Sequence, residues 1–153
     1  TVITGIAGKK GFSVIAIEKD MMNSEIGFGR KVLEVLENHK ICFEHLPSGI
    51  DTMSVVVNDN DFLPGKDTVI ADIQKKTKPD NITIYNGIAL VAVVGRGMAG
   101  SKGTASRLFK AIANSDINIR MIDQGSSELN IIVGVAEEDY VATLEAIYNE
   151  FVK

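Results

Sequence analysis

The chain has 153 residues, 45% of them apolar and 24% charged, with a formal net charge of −4, a make-up that fits one ordinary soluble domain or two small ones. No run of five basic residues is present, which argues against a nucleic-acid surface, and no apolar run approaches the roughly 18 residues of a membrane span. The single cysteine, Cys42, cannot form an internal disulfide; it lies in an apolar strand pattern, so a buried, inert thiol in a reducing, cytoplasmic setting is expected. No secretory leader opens the sequence, and its start at Thr1 inside the strand-like run VITGIA reads as a piece of a longer polypeptide.

In chain order, Val2 to Ala7 predicts a strand, and a second apolar strand starts at Gly11 and runs into the loop EKDMMNSEIG. Phe28, Val32, Val35 and Leu36, at i, i+4, i+7 and i+8, predict a helix ending near Asn38. An isoleucine-led strand from Ile41, the turn PSGID and a strand ending at Val57 read as a hairpin. Asp67 to Lys78, with Val69, Ile70 and Ile73 apolar, predicts a second helix, and Ile82 to Tyr85 a strand. The order then recurs. Ile88 to Val94 is a strand, followed by a glycine-rich loop and a helix carrying Ala105, Leu108, Phe109 and Ile112 that ends near Asn114. A second hairpin turns at QGSSE, and Glu138 to Val152 forms a last helix with Val141, Leu144, Ile147, Tyr148 and Phe151 on one stripe.

This recurrence is an internal repeat. Shifted by 76 residues, the stretch from Gly11 aligns without a gap on the stretch from Gly87, with eight identities in 47 positions, among them Met22/Met98, Gly27/Gly103 and Ile41/Ile117. Each unit reads β-α-β-β-α-β, the ferredoxin-like order, so the expected class is α+β with two such domains. The second unit stops at Lys153 without its last strand, whereas Val2 to Ala7 has no partner in the first. The expected organisation is therefore residues 11–86 as one domain, inserted into a second made of 1–10 and 87–153.

The loop VVGRGMAGSKG contains G-x-G-x-x-G (Gly95, Gly97, Gly100) between a strand and a helix, with Asp123 further on, as in a dinucleotide-binding turn. That fold needs parallel strands, and the short turn after Asp123 forces an antiparallel pair. Only about 50 residues remain after Gly103, and the matching loop of the first unit lacks the glycines. The stretch PGKDT lacks the upstream glycine and the Ser or Thr of a phosphate-binding Walker loop.

What both loops do offer is a helix N-terminus, whose free N–H groups and dipole favour an anion such as an α-carboxylate; the glycines of the second loop could equally serve only a tight turn. The first loop supplies Asn23, Ser24 and Gly27, with Met21, Met22 and Phe28 as apolar walls. Were the second strand to pair beside the first, Glu44 in that strand or Asp51 in the hairpin could face a cationic side chain; otherwise Glu44 points outward and Asp51 is a turn residue. His39 and His45 have no triad partner, His39 is expected at the surface, and no Cys/His cluster has metal-ligand spacing. With no tryptophan and a negative charge, an RNA-binding ferredoxin-like domain is disfavoured.

The stretch INIRMIDQGSSELNIIVGVAEEDYVATLEAIYNEF resembles the C-terminal half of aspartate kinase regulatory regions, whose signature joins QGSSE to NI; the preceding GRGM and the helix with Phe109 fit as well. The resemblance covers the whole chain and implies two nested ACT domains, which sense amino acids and form homodimers. It further implies a separate kinase domain using ATP and magnesium, no catalytic residue and no cofactor in this chain, and feedback inhibition through the first ACT domain. In the lysine-inhibited branch a methionine, a serine and Gly-Phe open the first domain's helix, which Met21 or Met22, Ser24, Gly27 and Phe28 match with one extra residue. Glu44 and Asp51 are the nearest equivalents of that branch's two acids, although PSGID departs from its turn. The effector is thus expected to be lysine, with threonine or an effector-free interaction module as alternatives.

Overall fold

Ile15 and Ile17 alternate along one buried strand face, and Val91 and Val93 repeat the pattern in the second half of the chain. In the computed structural model, which describes residues 3–125 and 130–152, these residues belong to two long strands, β1 (Gly5–Glu18) and β4 (Asn81–Val94). The other strands are β2 (Phe43–His45), β3 (Thr52–Asn58), β5 (Met121–Asp123) and β6 (Asn130–Ala136). The helices are α1 (Phe28–Asn38), α2 (Asp59–Phe62), α3 (Lys66–Thr77), α4 (Thr104–Asn114) and α5 (Tyr140–Phe151). The chain forms two compact units, Gly11–Asn86 and Thr1–Lys10 with Gly87–Lys153. It passes from one to the other at Gly11 and Gly87, both at positive φ. Each short strand expected at Val2–Ala7 and Ile82–Tyr85 therefore runs on into its successor; Val2 itself lies outside the described residues.

In the unit Gly11–Asn86 the strand order is β2-β3-β1-β4, with β3 antiparallel to both β1 and β2. The amide of Asp80 donates to the Glu18 carbonyl at 2.8 Å where β1 meets β4. Phe28, Val32, Val35 and Leu36 of α1 lie buried on one sheet face with Val69 and Ile73 of α3 and Phe62 of α2, as their helical spacing requires. The other unit repeats this with β5-β6-β4-β1, Thr4 N–H donating to Val94 O at 2.8 Å, and a core of Val91, Val93, Leu108, Ile112, Val133 and Ile147. There a Cβ at Gly8 would lie 2.6 Å from the Tyr140 ring, so a side chain at this position would displace the ring.

Several details differ from the sequence expectation. Between β3 and α3 the chain inserts α2 and a 3-10 turn, Leu63–Gly65. In the second and third strands the repeat offset is two residues larger, because β2 and β3 begin at Phe43 and Thr52 whereas β5 and β6 begin at Met121 and Asn130; Val57/Val133 is a coincidence of letters. The turn residues Ser126, Ser127 and Glu128 of QGSSE lie outside the described residues. Cys42 is exposed rather than buried, because β2 is a three-residue edge strand with no buried side chain. Val141 and Tyr148 are exposed, since the 3-10 turn Glu137–Asp139 sets a phase in which Thr143, Ala146 and Ile147 face the core. His39 is no free surface residue: its Nε2 lies 2.6 Å from Asp72 Oδ2, tying the end of α1 to α3.

The two first helices end alike. Lys40 and Asp116 both take φ of 59°, and Ile41 and Ile117 return their N–H groups to Leu36 and Ile112 carbonyls, a left-handed helix stop that usually employs glycine. Lys40→Gly and Asp116→Gly should each raise unfolding stability in urea by about 1 kcal/mol; a loss would show that these side chains make contacts worth more than the backbone strain.

Glu34 of α1 binds Lys76 of α3 and, at 3.0 Å, Arg30. The hydrogen bond from Lys76, aided by the charges of Lys76 and Arg30, holds its carboxyl below the ordinary value of 4.5. A carboxyl lowered in the folded state adds stability above its unfolded value and loses it as pH falls through the folded one. Urea midpoints should therefore fall as pH drops below 4.5. Glu34→Gln should flatten that fall, and salt should weaken it.

Candidate functional site

The corner between β1 and α1 gathers most of the sequence-predicted residues. After Glu18 the chain makes a 3-10 turn, Met22–Ser24, entered through Met21 in the left-handed region. Met22 is drawn into the core, which anchors the turn, while Met21 and Ser24 stay exposed. Gly27 caps α1 at φ 83°, with no side chain hydrogen-bonded to the helix start; a side chain would be strained there. Phe28 follows and is buried. The first N–H groups of α1, from Gly29 and Arg30, are of the kind left without helical partners.

Asp51 joins this corner and Glu44 does not. Lys19 N–H donates to Asp51 O at 3.0 Å and Asn23 N–H to Ile50 O at 3.1 Å, so the β2–β3 hairpin tip sits on the loop. The Asp51 carboxylate is exposed. Strand β2 pairs with β3, not with β1, and the flanking pairs Phe43↔Val57 and His45↔Val56 set Glu44 level with Ser13 and Val14 of β1. At about 3.3 Å per residue along a strand, that is roughly 17–20 Å from Lys19. Glu44 lies exposed in a bulge at the sheet edge, so the pairing of strands that would have aimed it at the loop is absent.

The corner also contains charges that sequence reasoning passed over. Lys19 Nζ donates to Glu25 Oε1 at 2.6 Å and to the Thr77 carbonyl at 2.7 Å, and stands 5.7 Å from the centre of the Phe28 ring. Lys31 Nζ lies 3.6 Å from the other Glu25 oxygen. The Lys19 hydrogen bond first, then the charges of Lys19 and Lys31, hold the Glu25 carboxyl below the usual glutamate range. Lys19 and Glu25 lie in an irregular loop where no helical or strand period applies, so no pattern in the sequence announces the pair.

The equivalent corner of the other unit has the same backbone and different chemistry. Gly103 caps α4 at φ 82°, Met98 is buried in a 3-10 turn, and Thr104 Oγ1 donates to Ser101 Oγ at 2.8 Å. A cavity of about 420 Å³ opens there, lined by Met98, Ser101, Thr104, Gln124 and Ile131 among others. Gly95 is extended and only Gly100 of the fingerprint glycines has positive φ. The antiparallel β5–β6 pair excludes a dinucleotide crossover. Among the described residues no cluster of three or more His, Cys, Asp or Glu side chains could hold a metal, and no helix is long and apolar enough to cross a membrane.

Residues 91–151 match the ACT domain family. Aspartokinase 3 of Bacillus subtilis is 39% identical over 150 residues, spanning 97% of this chain and 33% of that protein. The Clostridium acetobutylicum aspartate kinase, described as an allosteric enzyme, superposes with a TM-score of 0.95 at 52% identity over 97% of this chain and 34% of its own. The ligand-free regulatory subunit of Thermus thermophilus aspartate kinase, at 23% identity, shares the fold over 99% of both chains with a TM-score of 0.84. The chain thus spans a third or less of the length of the curated relatives it matches. It is an ACT regulatory region of the aspartate kinase kind, and these likenesses support an allosteric regulatory role.

Proposed function

We propose that the unit Gly11–Asn86 is an amino-acid-sensing ACT domain nested in a second one, and that its effector is lysine. The observation that carries this is the meeting of an uncapped helix start with a hairpin-tip carboxylate, fixed by the Lys19–Asp51 and Asn23–Ile50 backbone hydrogen bonds. A zwitterion can place its α-carboxylate on the Gly29 and Arg30 amides, where the helix dipole is positive. A cationic end then finds the exposed Asp51, a pairing that an ammonium satisfies better than the hydroxyl of threonine. Met21, Ser24, Gly27 and Phe28 shape the space between. Threonine is the second reading, favoured by the commitment of the Glu25 carboxylate to Lys19.

Met21, Ile26 and Ile50 are exposed apolar residues on this loop and hairpin. Exposed apolar groups clustered at one place are suited to cover by a partner, which supports homodimerisation through the first ACT domain. Lysine held at such an interface would favour one dimer arrangement over another, and in a parent enzyme that phosphorylates aspartate with ATP and magnesium in the cytoplasm it would lower activity.

Calorimetric titration with lysine, threonine and methionine at millimolar concentration tests the reading: saturable heat with lysine is expected, and its absence overturns it. Asp51→Ala should weaken lysine about tenfold or more, the scale of a charged hydrogen bond. Glu44→Ala should leave the affinity unchanged, being at the far end of the strand.

A further inference from the structure

The ammonium of Lys19 is held as a ligand's would be. The Lys19 side chain is 22% exposed, and the partners of its nitrogen come from three segments. Glu25 belongs to the loop before α1, Phe28 opens that helix, and the Thr77 carbonyl closes α3. An ammonium has three donors and no acceptor. Two donate at 2.6 and 2.7 Å, and an aromatic ring lies to one side. The Thr77 carbonyl is at the negative end of the α3 dipole, which adds to the attraction. An isolated exposed ion pair holds its partners weakly; a carboxylate, a helix-end carbonyl and a ring face converging on one nitrogen make an ammonium seat. The equivalent corner of the other unit has Gly95 and Ser101 at the positions of Lys19 and Glu25, and Thr104 at that of Phe28, so neither the seat nor its occupant is a requirement of the fold.

We infer that the Lys19 side chain is an internal plug in a primary-ammonium site formed by Glu25, Thr77 O and Phe28, and that an alkylammonium ligand competes with it for that seat. This deepens the sensor reading and rests on it only for the claim that the competing ligand is an amino-acid effector. Lysine carries two ammonium groups; Asp51 offers a place for one, and the seat, when Lys19 leaves it, a place for another. The plug then sets the effector threshold: the tighter Lys19 sits, the more effector is needed.

The test replaces the plug and supplies a free one. Lys19→Met keeps most of the apolar stem and removes the ammonium. The thermal midpoint of this variant should fall below that of the unaltered chain. n-Butylammonium chloride at tens of millimolar should restore much of the loss, while n-butanol and potassium chloride at matched concentration should not. The unaltered chain should show no comparable response, and adding Glu25→Gln to Lys19→Met should abolish the rescue. Lysine should bind Lys19→Met more tightly than the unaltered chain by about tenfold, the scale of one freed charged contact. If Lys19→Met does not fold, Lys19→Gln, which keeps a donor for the Thr77 carbonyl, serves in its place. Equal effects of butylammonium on variant and unaltered chain, or none on either, overturn the plug. If the unaltered chain binds lysine and Lys19→Met gains neither butylammonium rescue nor affinity, the plug fails and the sensor reading stands. If Lys19→Met responds to butylammonium through Glu25 while no amino acid binds, the seat stands and the sensor reading fails.

Discussion

The turn from β1 onto α1 is the constraint on which the corner depends. The strand must deliver its last residues at the sheet end and the helix must lie back across the sheet face, within the nine residues from Lys19 to Gly27. Met22 is pulled into the core and Gly27 takes a backbone conformation that disfavours a side chain. Between those two pins the loop has little freedom. The pins also decide what faces solvent: an uncapped helix start, the hairpin tip that hydrogen-bonds to the loop, and the charged pair Lys19–Glu25. The groups proposed to meet an effector are thus placed at the corner by packing.

The same two pins, Met98 and Gly103, recur in the other unit, and this explains why the duplication was legible in the sequence. Identities fall where geometry is strictest: Gly11/Gly87 at the strand kinks, Met22/Met98 in the buried 3-10 turns, Gly27/Gly103 at the left-handed caps, Ile41/Ile117 after the left-handed helix stops. Helix spacing was readable because the apolar stripe of α1 is a local property of its own residues. Strand adjacency was not. Whether β2 lies beside β1 or beyond β3 is decided by long-range pairing, and the bulge at Glu44 leaves no period to read. For the same reason Asp51 could be placed through its turn, whereas Glu44 could not be placed through its strand. The burial of Cys42 was misjudged on similar grounds: a strand-like run at a sheet edge has no layer to cover it.

Lys19 was invisible to sequence reasoning because its partners are 6, 9 and 58 residues away and of three kinds, a carboxylate, a ring and a backbone carbonyl. A carbonyl partner leaves no letter in the sequence at all. Clusters of this sort appear only after the fold has closed, and they are where copies of one backbone become different. The corner of the other unit keeps the turn, the cap and the buried methionine, yet has no counterpart of the Lys19–Glu25 pair and carries a Ser–Thr hydroxyl pair beside an open cavity.

That divergence bears on how one duplicated scaffold divides its labour. A helix start alone attracts any small anion and discriminates poorly, since its field is that of backbone dipoles common to every helix. Discrimination between amino acids must therefore come from groups that meet the rest of the ligand. In the first corner the charged groups are partly satisfied from within, so a ligand bound there would gain only the difference between its own contacts and those it displaced. Such a site responds weakly to ligands that cannot match the displaced ammonium. A sensor of one metabolite among many chemically similar ones depends on that subtraction more than on tight binding.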